Sequence, residues 1–257
     1  MHEKEHQLSD ANITPYEAVT TSFDGDEQQI VMKSIEGRPV PEYKAQLRNR
    51  IVEVPNEIYQ ATGIRVFGKR IKSLLFSTDL AIIRNSNAQS VMAVYPFSPQ
   101  AVIMESIIHC ASVPVFVGVG GGTTTGTRSI NLAFQGEQMG AYGVVVNAPM
   151  SNEVIRDIKK NVDVPVIATV SSFHDDFVGK LEAGADMLNV SGGARTVELV
   201  KHIRDTVGYD VPIIATGGPT GESITQTIQA GANAITYTPP TSAEIFATLM
   251  KKYRKDE

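Results

Sequence analysis

The chain has 257 residues, 42% of them hydrophobic and 20% charged, with a net charge of −5. That length suits one barrel-sized domain with a substantial core, and the acidic balance leaves no basic footprint for nucleic acid. Cys110 is the single cysteine, which excludes an internal disulfide and a cysteine-rich zinc site.

Residues 1–10 are polar and charged, without the apolar core of a signal peptide, and no apolar stretch approaches the length of a membrane span. The expectation is a cytoplasmic protein whose partners are a small molecule and further copies of itself in a homo-oligomer. Neither nucleic acid nor membrane is expected as a partner. Residues 1–27 are polar and acidic, which suits either an extension or a tail without fixed structure. Residues 41–61 have room for one helix with Leu47, Ile51 and Val54 along a face, before Gly63 breaks it. Residues 1–69 are therefore expected to form an N-terminal extension packed on or near the remaining domain, closing its bottom or mediating assembly. They precede the first strand and should supply no catalytic group.

From residue 70 to 257 short apolar runs alternate with longer amphipathic ones. The short runs are 70–77, 90–97, 114–120, 143–148, 164–170, 186–190, 211–216 and 233–238. They are rich in Val and Ile, as expected of strands buried on both faces of a parallel sheet. Helical patterns follow them, so the class is α/β. Val-Pro opens three strands, at Val113-Pro114, Val164-Pro165 and Val211-Pro212. Gly-Ala precedes three others, at Gly140-Ala141, Gly184-Ala185 and Gly231-Ala232. The two signatures alternate, marking a repeated βαβα unit. Eight regular strands favour a closed (β/α)8 TIM barrel over an open sheet. Helix starts are predicted at Ser98-Pro99, at Ser151, and at Thr241 with Glu244 as a capping box.

In such a barrel the strand ends converge on one pocket. Here they carry Ser77, Thr78 and Asp79; Tyr95; Gly120, Gly121, Gly122 and Thr123; Asn147; Thr169 and His174; Asn189 and Ser191; Thr216, Gly217, Gly218 and Thr220; and Tyr237. Hydroxyls and amides dominate. No lysine is present, which argues against a Schiff-base aldolase. One histidine with few carboxylates is a poor set for zinc or two metals, although a single Mg2+ held through Asp79 stays open. The glycine run at 120–122, with Arg128 nearby, suits an anion cradle, a mobile lid or a plain strand-to-helix turn. The Gly217-Gly218-Pro219-Thr220 loop falls where many barrels bind phosphate, and Gly192-Gly193 or the 120–126 loop would complete that site, because Pro239 and Pro240 offer no N–H. Asp79 is either a general acid or base or a residue serving the helix dipole. His174 is either a proton shuttle or an exposed first-turn residue, with Ser172 and Asp175 as a capping pair. Asn147 and Asn189 end apolar strands and should face a substrate. Tyr95 and Tyr237 suit a ring wall, a phenolic donor or core packing.

The strings Pro165-Val166-Ile167-Ala168-Thr169-Val170, Glu182-Ala183-Gly184-Ala185-Asp186 and Pro212-Ile213-Ile214-Ala215-Thr216-Gly217-Gly218 resemble two groups of barrels. One is the ribulose-phosphate-binding superfamily, which includes N-acetylmannosamine-6-phosphate epimerase. The other is the nitronate monooxygenases and related FMN barrels. The first resemblance implies a lysine at a strand end, which this chain lacks. The second implies a histidine after a Gly-Gly pair, where this chain has Ala194-Arg195. Residues 70–253 are also similar to a bacterial barrel family known only as "hydrolase". The expected function is acid–base chemistry on a phosphorylated or carboxylated metabolite, as a lyase, isomerase or hydrolase. Asp79, His174, Asn147 and Asn189 would be catalytic. The alternatives are an FMN-dependent oxidoreductase, with the phosphate on the 217–220 loop, and a non-catalytic ligand-binding barrel.

Overall fold

The computed structural model describes residues 16–23, 26–33 and 52–254. The chain divides into two units, Met1–Asn49 and Arg50–Glu257. In the first, Tyr16–Phe23 and Asp26–Lys33 pair as an antiparallel hairpin. Of the helix expected over residues 41–61, residues 41–51 lie outside the described residues. The rest holds a single bridge at Val52 and a 3-10 helix, Asn56–Gln60, and no α-helix.

The second unit is a closed barrel of eight parallel strands: β1 (Ser73–Phe76), β2 (Ser90–Ala93), β3 (Val115–Gly120), β4 (Gly143–Val146), β5 (Val166–Val170), β6 (Met187–Val190), β7 (Ile213–Thr216) and β8 (Ala234–Tyr237). Each falls inside its predicted run. The first run was drawn too long at its start, because residues 69–71 belong to an antiparallel hairpin, Ile64–Val66 with Lys69–Ile71. That hairpin sends Ile64, Val66 and Ile71 into the barrel interior, beside one residue from every strand: Leu74, Met92, Phe116, Val145, Ile167, Met187, Ile214 and Ala234. The barrel is thus plugged from its amino-terminal end.

Residues of opposite parity, such as Leu75, Val91, Val117, Val144, Ala168, Leu188, Ala215 and Ile235, pack outward in a second core beneath the helices. This double burial explains why the strands are apolar almost throughout. The helices are α1 (Leu80–Arg84), α2 (Ala101–Cys110), α3 (Thr127–Gln138), α4 (Asn152–Asn161), α5 (Phe177–Glu182), α6 (Thr196–Val207), α7 (Gly221–Gln229) and α8 (Ser242–Arg254).

Two predicted caps hold. Ser151 accepts from Val154 N, and Thr241 and Glu244 bond reciprocally. The cap at Ser98 does not: α2 begins two residues later than expected, and its Gln100 N–H is taken by the Tyr95 hydroxyl at 2.9 Å. No helix among the described residues is long and apolar enough to cross a membrane.

Candidate functional site at the carboxyl mouth

Side chains alternate faces along a strand, so the residue two beyond each interior apolar residue also points inward, one step nearer the mouth. On β1 to β3 these are Phe76, Val94 and Gly118. On β4 to β8 they are Asn147, Thr169, Asn189, Thr216 and Thr236. The floor of the mouth therefore has an apolar half and a polar half, and the polar half carries amides and hydroxyls without an ionisable group. Asn189 is 9% exposed and its Nδ2 donates to Thr169 Oγ1 at 3.3 Å. Thr216 Oγ1 donates to Ser191 Oγ at 3.2 Å, one level higher. Thr236 is 6% exposed, and its hydroxyl has no partner in the protein. Asn147 and Asn189 stand where the sequence put them. Thr236 was missed, because attention to the final residues of the run singled out Tyr237. Tyr237 has the opposite parity and packs against the outer core. Counting by twos from Ala234 identifies the inward residue.

The 120–126 loop forms one wall. Gly120, Gly121 and Gly122 have φ of +132°, +112° and +151°, values open chiefly to glycine. Gly120 O accepts from Asn147 N at 2.8 Å, and Gly121 N donates to Thr124 O at 2.8 Å. A Cβ on Gly121 would lie 2.7 Å from the Asn147 backbone, whereas one on Gly122 would meet nothing within 4 Å. Packing thus accounts for the first two glycines, and a register shift between Gly118 and Gly120 lifts the loop off β3. Between this loop and Tyr95, Pro96 and Phe97 lies a cavity of about 160 Å3, with Asn147 and Thr124 on its lining. Thr123 is exposed at its edge, and Arg128 is exposed in the first turn of α3.

The other candidates lie on the rim. Asp79 is the N-cap of α1. Its Oδ1 accepts from Ala81 N and Ile82 N, and its Oδ2 from the Ser242 hydroxyl of α8. The Ser242 bond, with the two N–H groups adding to it, holds its carboxyl below the usual carboxylate range against the opposing effect of burial. His174 is exposed, and its backbone N donates to Ser172 Oγ at 3.3 Å. The expected Ser172–Asp175 helix cap is absent. Asp175 instead gathers Ser171 N and Ser172 N, while Asp176 caps α5 by accepting from Gly179 N. Gly192 and Gly193 lead into a 3-10 turn whose Arg195 stacks over Phe173, 4.3 Å from the ring centroid.

At α7, Thr220 and Ser223 form a full capping box, and Gly218 has φ of +78°. Two acids bear on this helix start: Glu222 in the first turn, and Glu57, whose carboxylate packs beside Gly221. Gly217 is buried, and a Cβ there would strike Ile224 and Ile235 at 2.7 Å.

Lys180 of α5 is buried, yet it serves no mouth chemistry. Its Nζ donates to the carbonyls of Ala148 and Met150 at 2.8 and 3.2 Å. Burial pulls its pKa below the usual lysine value, against the opposing pull of Asp175 and Asp176. Tied to two carbonyls, the amine braces the β4–α4 connection. Both Asp79 oxygens accept hydrogen bonds from the protein, and no cluster of three or more His, Cys, Asp or Glu suited to a metal occurs among the described residues. A larger cavity of about 600 Å3 lies on the flank between α1 and α8. Its lining is mostly apolar, with Val52, Ile82, Ile245 and Leu249, and also takes in Glu53, Asn85, Ser242 and Tyr237 at the end of β8.

No protein-family model matches the chain. Deoxyribose-phosphate aldolase 1 of Staphylococcus aureus (strain Mu50) is 37% identical over 91 residues, 32% of this chain; the match spans 41% of the aldolase's length. Solved structures with the same fold include phosphoenolpyruvate phosphomutase from Streptomyces platensis subsp. rosaceus, at TM-score 0.54 and 11% identity, covering 71% of this chain and 80% of that one. A phosphonopyruvate hydrolase complex with oxalate and Mg2+ scores 0.54 at 14% identity, covering 73% and 83%. A mandelate oxidase with an FMN adduct scores 0.53 at 15% identity, covering 69% and 68%. With the closed eight-stranded barrel, these likenesses establish that the chain is a (β/α)8 TIM barrel.

Proposed function

We propose that the carboxyl mouth is the active site of an enzyme acting on a small phosphorylated or carboxylated metabolite, by a lyase, isomerase or hydrolase reaction. The observation that carries this reading is the set of neutral hydrogen-bonding groups on five adjacent strands, from Asn147 to Thr236, above a plugged apolar interior. Preorganised amides and hydroxyls in a water-poor floor stabilise negative charge as it develops on a substrate oxygen. Proton transfer falls to the rim, where Asp79 and His174 stand. Asp79, as a carboxylate, would be the base of the pair, a weak one because its bonds lower its proton affinity. The glycine loops 120–126, 192–193 and 217–220 supply N–H groups for the anion. The partial likeness to an aldolase is consistent with a carbon–carbon lyase, although a Schiff base has no free amine to form on at the strand ends.

The test is turnover of a panel of small phosphorylated and carboxylated metabolites, followed by proton and phosphorus NMR, with Asn189→Leu as the comparison. Loss of an oxyanion donor should lower kcat by about 100-fold or more while the fold is retained. Equal turnover in the variant would sink the assignment. Thermal stabilisation by ligands without any turnover would favour a sensor, and flavin absorbance in the purified protein would favour the oxidoreductase.

A further inference from the structure

We infer that the cavity between the glycine loop and the β2–α2 connection is a carboxylate subsite, in which Thr124 and Asn147 receive the anionic head of the ligand, with the start of α3 next along the same loop. This rests on reading the mouth as a ligand site, and it names which loop holds the charge. Thr124 lines the cavity at 4% exposure, and its Oγ1 has no partner in the protein. A hydroxyl buried without a partner costs free energy, and a ligand oxygen removes that cost.

The start of α3 points the same way. Its N-cap is Gly126, which supplies no side-chain bond, and the first turn of this 12-residue helix holds no acid. The first N–H groups of a helix have no intrahelical acceptor and favour an anion. Ser129, fully buried in that first turn against Gly120, also has a hydroxyl without a partner. The competing start, α7, is closed by the Thr220–Ser223 capping box and flanked by Glu222 and Glu57. Two acids beside a helix start repel a further anion, so the α3 end is the stronger site.

The uncharged lining favours a carboxylate monoanion over a phosphate dianion. The cavity holds about 160 Å3, and none of its lining residues is charged. Val94, Pro96 and Phe97 face the loop as an apolar wall. A flat monoanion on a short carbon chain uses both surfaces, with its oxygens toward Thr124 and Asn147 and its carbons on Phe97.

The experiment titrates trifluoroacetate into the full chain and follows it by fluorine NMR, with acetate and inorganic phosphate as competitors. Saturable broadening is expected, displaced by acetate more readily than by phosphate. Thr124→Val should weaken binding by about ten- to a hundredfold, the worth of one hydrogen bond to a charged group. Thr124→Ser should retain binding. Exchanging an unpartnered hydroxyl for a methyl should keep or raise the Tm. Unchanged binding in Thr124→Val, stronger competition by phosphate, or a lowered Tm in Thr124→Val would each overturn the assignment. Binding that depends on Thr124, found with no turnover of any metabolite, would overturn the enzyme reading and leave this subsite standing.

Discussion

Asp79 shows how one side chain can be structural and chemical at once. Its carboxylate caps α1 and joins α8 through Ser242, spanning the seam where the last strand of the barrel meets the first. The Ser242 hydroxyl is the largest influence lowering its pKa. A carboxyl whose folded pKa is depressed stabilises the fold above its ordinary pKa, and that stability is lost as pH falls through the folded value. Ser242→Ala should therefore flatten the acid limb of stability between the ordinary and the depressed pKa. Because the group is partly exposed, it should cost less than about 1 kcal/mol at neutral pH. Urea denaturation at a series of pH values measures both effects; an unchanged acid limb would show that the backbone N–H groups alone hold the charge. If Asp79 is the base, the acid limb of the rate profile should move upward in the same variant.

Among the elements, what could be read from sequence follows from periodicity. The eight strands were visible because both faces are buried, so Val166–Val170 or Ile213–Thr216 stand out as apolar runs between polar helices. That same double burial hides which face is inward: Ala234-Ile235-Thr236-Tyr237 has no polar–apolar alternation to set its phase, and Thr236 went unnoticed. The start of α2 was misplaced because its first N–H meets a tyrosine five residues upstream, a contact that local capping rules do not encode. Lys180 was invisible as a buried group because its carbonyl partners lie 30 and 32 residues away. The glycine loop was located but not divided into roles, since only the packing separates Gly121 from Gly122. Both have positive φ, so alanine strains both, but only at Gly121 does the new Cβ collide with the Asn147 backbone. Gly121→Ala should cost about 1–3 kcal/mol more than Gly122→Ala, by the usual penalty for overpacking. Paired chemical denaturation curves test this, and equal losses would mean that the β4 end yields freely to the loop.

Among the described residues, the buried side-chain hydroxyls left without a partner all lie toward the carboxyl face of the barrel. At the amino-terminal face polar groups, buried or half-exposed, are matched. Arg204, 4% exposed, donates to Gly231 O, Gly208 O, Val211 O and Asn233 Oδ1. Glu137 accepts from Asp163 N and Val164 N, and Asp186 accepts from Val166 N while pairing with Lys159. At the carboxyl face the hydroxyls of Thr124, Ser129 and Thr236 are buried without partners. Satisfied networks stabilise, and unsatisfied groups are tolerated where a ligand completes them. On the proposed reading of the mouth as the ligand site, the bottom would serve stability and the mouth recognition. Arg204→Met removes donors from four acceptors at once and should cost about 3–5 kcal/mol. It should leave trifluoroacetate affinity per folded molecule unchanged, because the arginine lies at the opposite end from the glycine loop. Thr124→Val should do the reverse, weakening binding without loss of stability. Denaturation and fluorine titration on both variants decide the matter: a large affinity loss in Arg204→Met, measured where the protein is still folded, would show that the two faces are coupled through the barrel and are not separable.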